Sequence, residues 1–126
     1  MQRVPTLVGI SGHFKGESFN LVYGKTVTIG RSREADFSLK RTERYRTQSE
    51  AEREKDEAAQ TVSGKHFQIT LHNLRSIEIK NLSPNGIKID GKKVESAVID
   101  DVSSKPHEIA FGVDEMLKLE MGEQKD

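Results

Sequence analysis

The feature that most constrains the fold of this chain is a two-residue alternation of apolar and polar side chains between residues 61 and 89. The alternation occurs in three short segments, 66–71 (HFQITL), 76–80 (SIEIK) and 87–89 (IKI), which are separated by polar turns. A two-residue period places the apolar side chains on one face of an extended strand, whereas a helix repeats about every 3.6 residues. The stretch therefore predicts half-buried strands joined by turns.

Similar short segments lie on both sides of this stretch, separated by clusters of Gly, Pro, Asn, Asp and Ser. The predicted strands are 5–10, 18–23, 26–29, 37–39, 66–71, 76–80, 87–89, 92–94, 97–99, 107–111 and 116–121. About eleven short strands with this punctuation predict an all-β sandwich rather than an α/β fold. With 126 residues, the whole chain (1–126) has the length of a single domain.

Residues 40–60 interrupt the strand pattern with a charged insertion, KRTERYRTQSEAEREKDEAAQ, which contains neither Gly nor Pro. Arg46 and Glu50, like Arg53 and Glu57, have the four-residue spacing that supports a helix. Without an apolar stripe, such a helix has no face with which to dock on the sandwich. We therefore expect an exposed helix or a disordered segment, which serves either as a solvated charge run or as a partner surface.

Composition disfavours several classes of function. The 20 basic and 20 acidic residues balance, so the overall charge does not indicate nucleic-acid binding. The absence of cysteine excludes disulfide scaffolds and thiolate catalysis. No apolar run approaches the roughly 20 residues that span a bilayer, and MQRVPTLVGISG lacks the core of a signal peptide. We expect an intracellular domain without a membrane partner.

Metal and cofactor sites are also not predicted. His13, His66, His72 and His107 do not have the spacing of metal ligands, and no cysteine could join them. We therefore predict neither a metal nor a cofactor.

Three turns between predicted strands carry residues that are suited to binding an anion. Arg31 offers a planar fork of donors that matches phosphate or carboxylate. Ser63 offers a hydroxyl, Lys65 an ammonium group, and the backbone around Gly64 can approach a ligand closely. Asn85 can both donate to and accept from a peptide main chain. Together these residues predict a phosphate site of moderate strength.

The order of these motifs resembles that of a known family. Gly30-Arg31, Ser63-Gly64-Lys65-His66 and Ser83-Pro84-Asn85-Gly86 resemble the G-R, S-x-x-H and S-x-N-G motifs of the forkhead-associated (FHA) domain. The flanking segments 29–36 (IGRSREAD) and 85–91 (NGIKIDG) are similar to that family as well. The resemblance implies an eleven-stranded β-sandwich whose loops at one end bind phosphothreonine peptides.

The resemblance also implies a role for each matched residue. Arg31 would pair with the phosphate, Ser63 would hydrogen-bond to it, and Asn85 would hold the peptide main chain. Lys65 would point away and add long-range attraction, and His66 would fix the geometry of the loop. The implied binding residues are Arg31, Ser63, Gly64, Lys65, Asn85 and Gly86, and the implied support residues are Gly30, His66 and Ser83.

Three positions depart from the family pattern. Gly64 stands where the family commonly has a residue that helps to hold the phosphate, Pro84 precedes Asn85, and Ile87 replaces a threonine. A charge-assisted hydrogen bond contributes about 1.5–3 kcal/mol, so the missing donors predict either a weakened site or one completed by the insertion. The candidates for that completion are Arg41, Arg44 and Arg46.

Function is thus expected to be non-catalytic recognition of a phosphothreonine-containing protein segment, with no small-molecule substrate. The resemblance implies a larger nuclear signalling protein, in the DNA damage response, cell cycle or transcription; a cytoplasmic location is the other expectation. The alternative is a phospho-independent scaffold or oligomerisation module on the same fold. A catalytic triad of Ser63, His66 and Asp36 is disfavoured because no nucleophile elbow surrounds Ser63. Direct DNA binding rests only on the local arginines of the insertion and is also disfavoured.

Overall fold

Two β-sheets packed face to face make up the fold in the computed structural model, which describes residues 2–125. One sheet has the strand order β2-β1-β11-β10-β7-β8 and the other β4-β3-β5-β6-β9. The strands are β1 (Arg3–Ser11), β2 (Ser18–Asn20), β3 (Thr26–Gly30), β4 (Phe37–Ser38), β5 (Phe67–Asn73), β6 (Ser76–Asn81), β7 (Ile87–Ile89), β8 (Lys92–Val94), β9 (Ser96–Ile99), β10 (His107–Phe111) and β11 (Glu115–Glu123). The predicted all-β sandwich of about eleven strands is confirmed.

The alternation that predicted the strands also builds the core between the two sheets. In β5, Phe67, Ile69 and Leu71 are fully buried, while the intervening Gln68 and Thr70 are partly exposed. Each large aliphatic or aromatic side chain buried in this way contributes roughly 1.5–3 kcal/mol relative to its exposed form. The other fully buried large residues of the core are Leu7, Phe14, Ile29, Leu39, Ile77, Ile79, Ile87, Ile109, Leu117 and Leu119.

The charged insertion folds into three short helices, α1 (Glu43–Arg46), α2 (Glu50–Glu54) and α3 (Glu57–Gln60). Each helix begins at a side-chain cap, because Thr42, Ser49 and Asp56 accept hydrogen bonds from backbone N–H groups of the first turn. The side chain of Glu52 accepts a hydrogen bond from the backbone N–H of Ser49 and completes a capping box. The insertion is therefore helical, in three pieces rather than one.

The charge pairs that suggested a continuous helix do not form one. A helix boundary lies between Arg46 and Glu50, and another between Arg53 and Glu57. Neither pair forms an ion pair in the described part of the chain. Ser49 lies between Arg46 and Glu50, and Asp56 lies between Arg53 and Glu57. Because each of them begins a new helix, the members of a pair are not on one continuous helix.

The insertion also packs against the sandwich, contrary to the expectation from its lack of an apolar stripe. Ala59 belongs to the buried core, and Tyr45 packs against that core. The Nε2 atom of His13 lies 2.6 Å from Oδ2 of Asp56, and Nδ1 of the same ring lies 3.0 Å from Oε2 of Glu115. We call His13, Asp56 and Glu115 the His13 latch, because they tie α3 to β11 through one buried imidazole.

The two carboxylates determine the charge of this imidazole. The hydrogen bond to Glu115 raises the pKa of His13 above its usual value, burial opposes that rise, and Asp56 adds to it. Burial tends to raise the pKa of Asp56, but hydrogen bonds from Gln48, Ala59 and His13 lower it overall. Each ring nitrogen also lies within 3.0 Å of a carboxylate oxygen, so the geometry and the raised pKa of His13 both favour the imidazolium form.

Replacing Asp56 with asparagine is expected to loosen the insertion and to lower the free energy of unfolding by about 1–3 kcal/mol. Asparagine keeps the shape of the side chain and can still cap α3, so the change removes mainly the charge that faces His13. Limited proteolysis within residues 40–60 and urea unfolding measure the two effects.

The matched control is Glu57→Gln, which removes an exposed carboxylate at the next position. Cleavage of the insertion in Asp56→Asn at the rate seen in the wild type and in Glu57→Gln would contradict the latch.

Candidate functional site

The pairing of the strands brings the three motif-bearing turns to one end of the sandwich. β3 runs antiparallel to β5 with Ile29 opposite Phe67, and β5 runs antiparallel to β6 with Phe67 opposite Asn81. Antiparallel pairing places the end of one strand beside the start of its neighbour. The turns after β3, before β5 and after β6 therefore meet at the same edge of this sheet.

Contact between the first two turns depends on a glycine. The N–H of Arg31 donates to the carbonyl oxygen of Ser63 at 2.9 Å, and the N–H of Ser32 donates to that of Gly64 at 3.1 Å. A Cβ atom on Gly30 would lie 2.2 Å from the oxygen of Gly64 and 2.8 Å from that of Ser63. The absence of a side chain at Gly30 thus allows the second turn to lie against the first, with Arg31 beside Ser63.

His66 joins the second turn to the third. Its ring is completely buried, Nδ1 accepts a hydrogen bond from the N–H of Ser63 at 3.0 Å, and Nε2 donates to the carbonyl oxygen of Gly86 at 2.8 Å. Burial lowers the pKa of His66 below its usual value, and the hydrogen bond to Gly86 opposes this only in part. The arrangement requires the neutral imidazole with its proton on Nε2, so His66 is a cross-link between turns rather than a charged group.

His66 and His13 are expected to titrate on opposite sides of the ordinary histidine pKa of about 6.5. Burial disfavours the protonated form of His66 and lowers its pKa in the folded state. The contribution of His66 to stability is therefore present above the unfolded pKa and is lost as the pH falls from there through the folded pKa. His13 gains protonation from its carboxylate partners, so its contribution is present below the unfolded pKa and is lost as the pH rises through the folded value. Long-range nitrogen–proton NMR spectra recorded over a pH series measure the pKa values of both histidines. A higher pKa for His66 than for His13 would contradict the prediction.

The hydroxyl groups of two serines also connect the second and third turns. Oγ of Ser63 lies 2.6 Å from Oγ of Ser83, and Ser83 also accepts a hydrogen bond from the N–H of Asn85 at 3.1 Å. Ser83 is buried, whereas Ser63 is partly exposed. The buried serine thus holds both the hydroxyl of Ser63 and the backbone of Asn85 in place.

Asn85 and Gly86 form the outer part of the third turn. Nδ2 of Asn85 donates to the carbonyl oxygen of Thr61 at 2.9 Å, which ties the exposed side chain to the second turn. Gly86 has φ of 77°, a left-handed conformation that residues with a Cβ atom adopt at a cost. The orientation of Asn85 is therefore determined by both turns.

The arginines that were candidates for completing the site do not gather around Arg31. The guanidinium of Arg41 donates to the carbonyl oxygens of Ala35 and of Asp36, the latter at 2.8 Å, so it supports the turn after β3. Arg44 lines a separate depression with Lys15 and Glu17. Arg46 is exposed, and its carbonyl oxygen accepts a hydrogen bond from Arg53.

Two other cations of the insertion lie next to Arg31 and were missed by the sequence analysis. Lys40 and Arg53 line one depression together with Arg31. Nothing in the sequence distinguishes them from the other basic residues of the run, because their placement depends on how the three helices fold back. Lys65 is exposed and Gly64 is partly exposed in the second turn.

The arrangement also argues against a catalytic triad. Oδ2 of Asp36 accepts hydrogen bonds from the N–H and the hydroxyl of Thr28 at 2.8 and 3.2 Å. Both ring nitrogens of His66 are occupied by backbone groups, so the imidazole is not available as a base for Ser63.

Membrane-spanning helices and groups of metal ligands are both absent from the part of the chain that the structure describes. Among the helices of residues 2–125, none is long and apolar enough to cross a bilayer. Over the same residues, no three histidine or acidic side chains are grouped as potential metal ligands.

Comparison with known proteins identifies the family. The family model of the FHA domain matches residues 27–107, and the chain belongs to this family of phosphopeptide-binding interaction modules. No curated protein sequence matches the chain.

Solved FHA structures share the fold at low sequence identity. The FHA domain of the CT664 protein from Chlamydia trachomatis is 23% identical, with 98% of this chain and 100% of that chain covered, at a TM-score of 0.65. The FHA domain of an Arabidopsis thaliana hypothetical protein is 18% identical over 98% of this chain and 91% of that chain, at a TM-score of 0.67. The N-terminal FHA domain of S. cerevisiae Rad53p, solved with a phosphothreonine peptide, is 20% identical over 94% of each chain, at a TM-score of 0.64.

Proposed function

We propose that this domain binds phosphothreonine-containing segments of a partner protein at the end of the sandwich where the three turns meet. The observation that carries the proposal is the placement of Arg31 beside Ser63, which depends on the close approach of the second turn to Gly30. The FHA family supports it, and so does the solved complex of a similar fold with a phosphothreonine peptide.

Capture of the phosphate would use donors that the fold leaves available. The backbone N–H groups of Gly64 and Lys65 donate to no acceptor within residues 2–125. The guanidinium of Arg31 supplies a charged fork, and the hydroxyl of Ser63 can donate to the phosphate while accepting from Ser83. Phosphorylation adds nearly two negative charges to the threonine and thereby turns binding on.

Asn85 would hold the main chain of the peptide next to the phosphate. Its Nδ2 is used by Thr61, and its Oδ1 accepts no hydrogen bond from any residue in 2–125. A fixed carbonyl oxygen at this position suits a peptide N–H group, which gives the bound segment its register.

A phospho-independent scaffold on the same fold is the second candidate, and Gly64 is the observation that favours it. This residue brings no side chain to the position where the family commonly has a phosphate donor, and a Cβ there would have only Ser32 nearby, at 3.7 Å. In this case partners would bind through another face of the sandwich.

Fluorescence anisotropy separates the two candidates, using degenerate peptide libraries that carry a fixed phosphothreonine, phosphoserine or unmodified threonine. We expect micromolar binding confined to the phosphothreonine library. Equal binding of the unmodified library, or no binding by protein shown to be folded, would exclude the phosphothreonine reader. The nuclear location and the named signalling processes stay predictions, since structures of this fold come from bacteria as well as from yeast and plants.

A further inference from the structure

The insertion and the first turn together enclose a depression beside the proposed phosphate site. It has a volume of about 180 Å³. Its lining residues come from the first turn and from the insertion, and they are Arg31, Lys40, Tyr45, Arg53, Asp56, Ala59 and Gln60. The proposed function uses only Arg31 from this set.

Three cations line the depression without an ion-pair partner of their own. Arg31, Lys40 and Arg53 form no salt bridge within residues 2–125. Unpaired like charges around one concave surface repel one another, and an anion bound between them would relieve this repulsion.

Arg53 is held in position before any ligand binds. Its Nε donates to the carbonyl oxygen of Tyr45 at 3.3 Å and its Nη2 to that of Arg46 at 3.1 Å. The guanidinium carbon lies 4.8 Å from the centroid of the Tyr45 ring, in a cation–π contact. These contacts leave Nη1 free to donate and reduce the conformational entropy lost on binding.

The one carboxylate of the lining does not cancel these charges. Oδ1 of Asp56 accepts the N–H of Ala59 at 3.0 Å, and Oδ2 accepts from Gln48 at 2.9 Å and lies 2.6 Å from Nε2 of His13. Asp56 is thereby committed to the His13 latch, in which one imidazolium faces two carboxylates. The net charge of about −1 on the latch is smaller than the charge of the three cations in the lining.

We propose that Lys40 and Arg53, together with Arg31, form a second anion subsite that takes an acidic side chain or a second phosphate group on the same phosphothreonine peptide. The inference rests on the proposed function, since Arg31 belongs to both sites. This second subsite gives the charged insertion a role in selecting the partner. It also supplies cations to a binding site in which Gly64 brings no side chain to hold the phosphate.

The experiment scans the best phosphothreonine peptide from the degenerate library, placing aspartate or phosphoserine at each position from four residues before to four residues after the phosphothreonine. We expect one position at which either anion tightens binding by about fivefold or more. Lys40→Gln should remove most of this gain and Lys40→Arg should retain it. Arg44→Gln, which removes the same charge from the insertion at a separate depression, should leave the gain unchanged.

The outcomes distinguish the source of the anion and the two levels of the proposal. A gain with aspartate and phosphoserine indicates a subsite for any anionic group, whereas a gain with phosphoserine alone indicates a second phosphate. Phosphothreonine binding with no gain at any position, or a gain that persists in Lys40→Gln, would overturn the subsite and leave the proposed function standing. If the folded wild-type domain binds no phosphothreonine peptide, both the subsite and the proposed function are overturned.

Discussion

Replacing Arg31 with alanine is expected to weaken binding to a phosphothreonine peptide by about 100-fold or more. The guanidinium can form two charge-assisted hydrogen bonds to a phosphate, each contributing about 1.5–3 kcal/mol, and alanine forms neither. Because Arg31 is only partly buried and its backbone contacts to Ser63 do not need the side chain, the variant should fold. Isothermal titration calorimetry measures the change in Kd, and thermal unfolding checks the fold.

The matched control is Arg33→Ala, two residues along the same turn, where the side chain is exposed. It removes the same charge, so a long-range electrostatic effect would weaken binding equally in both variants. Arg31→Lys keeps the charge but not the fork and should fall between the wild type and Arg31→Ala. If Arg31→Ala binds as well as Arg33→Ala, the phosphate is not held by Arg31.

Replacing Gly30 with alanine is expected to abolish measurable phosphopeptide binding and to lower the free energy of unfolding by about 1–3 kcal/mol. The new Cβ atom would lie 2.2 Å from the carbonyl oxygen of Gly64, and backbone cannot move away as the end of a flexible side chain can. The second turn must therefore shift, which separates Ser63 from Arg31. Anisotropy with the phosphothreonine library and urea unfolding measure the two effects.

Gly64→Ala is the control for this change, because it adds the same methyl group to the opposite side of the contact. Its Cβ would have Ser32 as its nearest neighbour at 3.7 Å, an ordinary van der Waals distance. This variant should retain the stability of the wild type and most of its binding. Equal behaviour of the two variants would show that the close approach at Gly30 does not organise the site.

Most of the sandwich could be predicted from the sequence because strand formation here follows from local pattern. In β5 and β6 the apolar residues alternate without interruption, and the turn residues between strands mark where each ends. The second strand is shorter than predicted, Ser18–Asn20 instead of 18–23, because the exposed Val22 and Tyr23 lie in the turn that follows. In a sequence, the end of a strand is marked only by turn-forming residues. After Asn20 the first such residue is Gly24, so the sequence predicted a strand that was too long.

The insertion could be predicted only as far as its helical character. Its docking depends on the packing of Tyr45 and Ala59 against the core, and on the carboxylate of Asp56, which contacts His13 more than forty residues away along the chain. Contacts between such distant segments produce no periodicity in the sequence, so a residue pattern cannot predict them. For the same reason the sequence could not separate Lys40 and Arg53, which lie beside Arg31, from Arg41 and Arg44, which do not.

The most direct test of the central claim is to titrate the isotopically labelled domain with the best phosphothreonine peptide and to map the amide shifts by NMR. We expect the largest shifts at the N–H groups of Gly64 and Lys65, with further shifts at Arg31 and Asn85, and none with the unphosphorylated peptide. Phosphate-dependent shifts confined to another face of the sandwich, or the same shifts with both peptides, would contradict the account that these three turns bind phosphothreonine together.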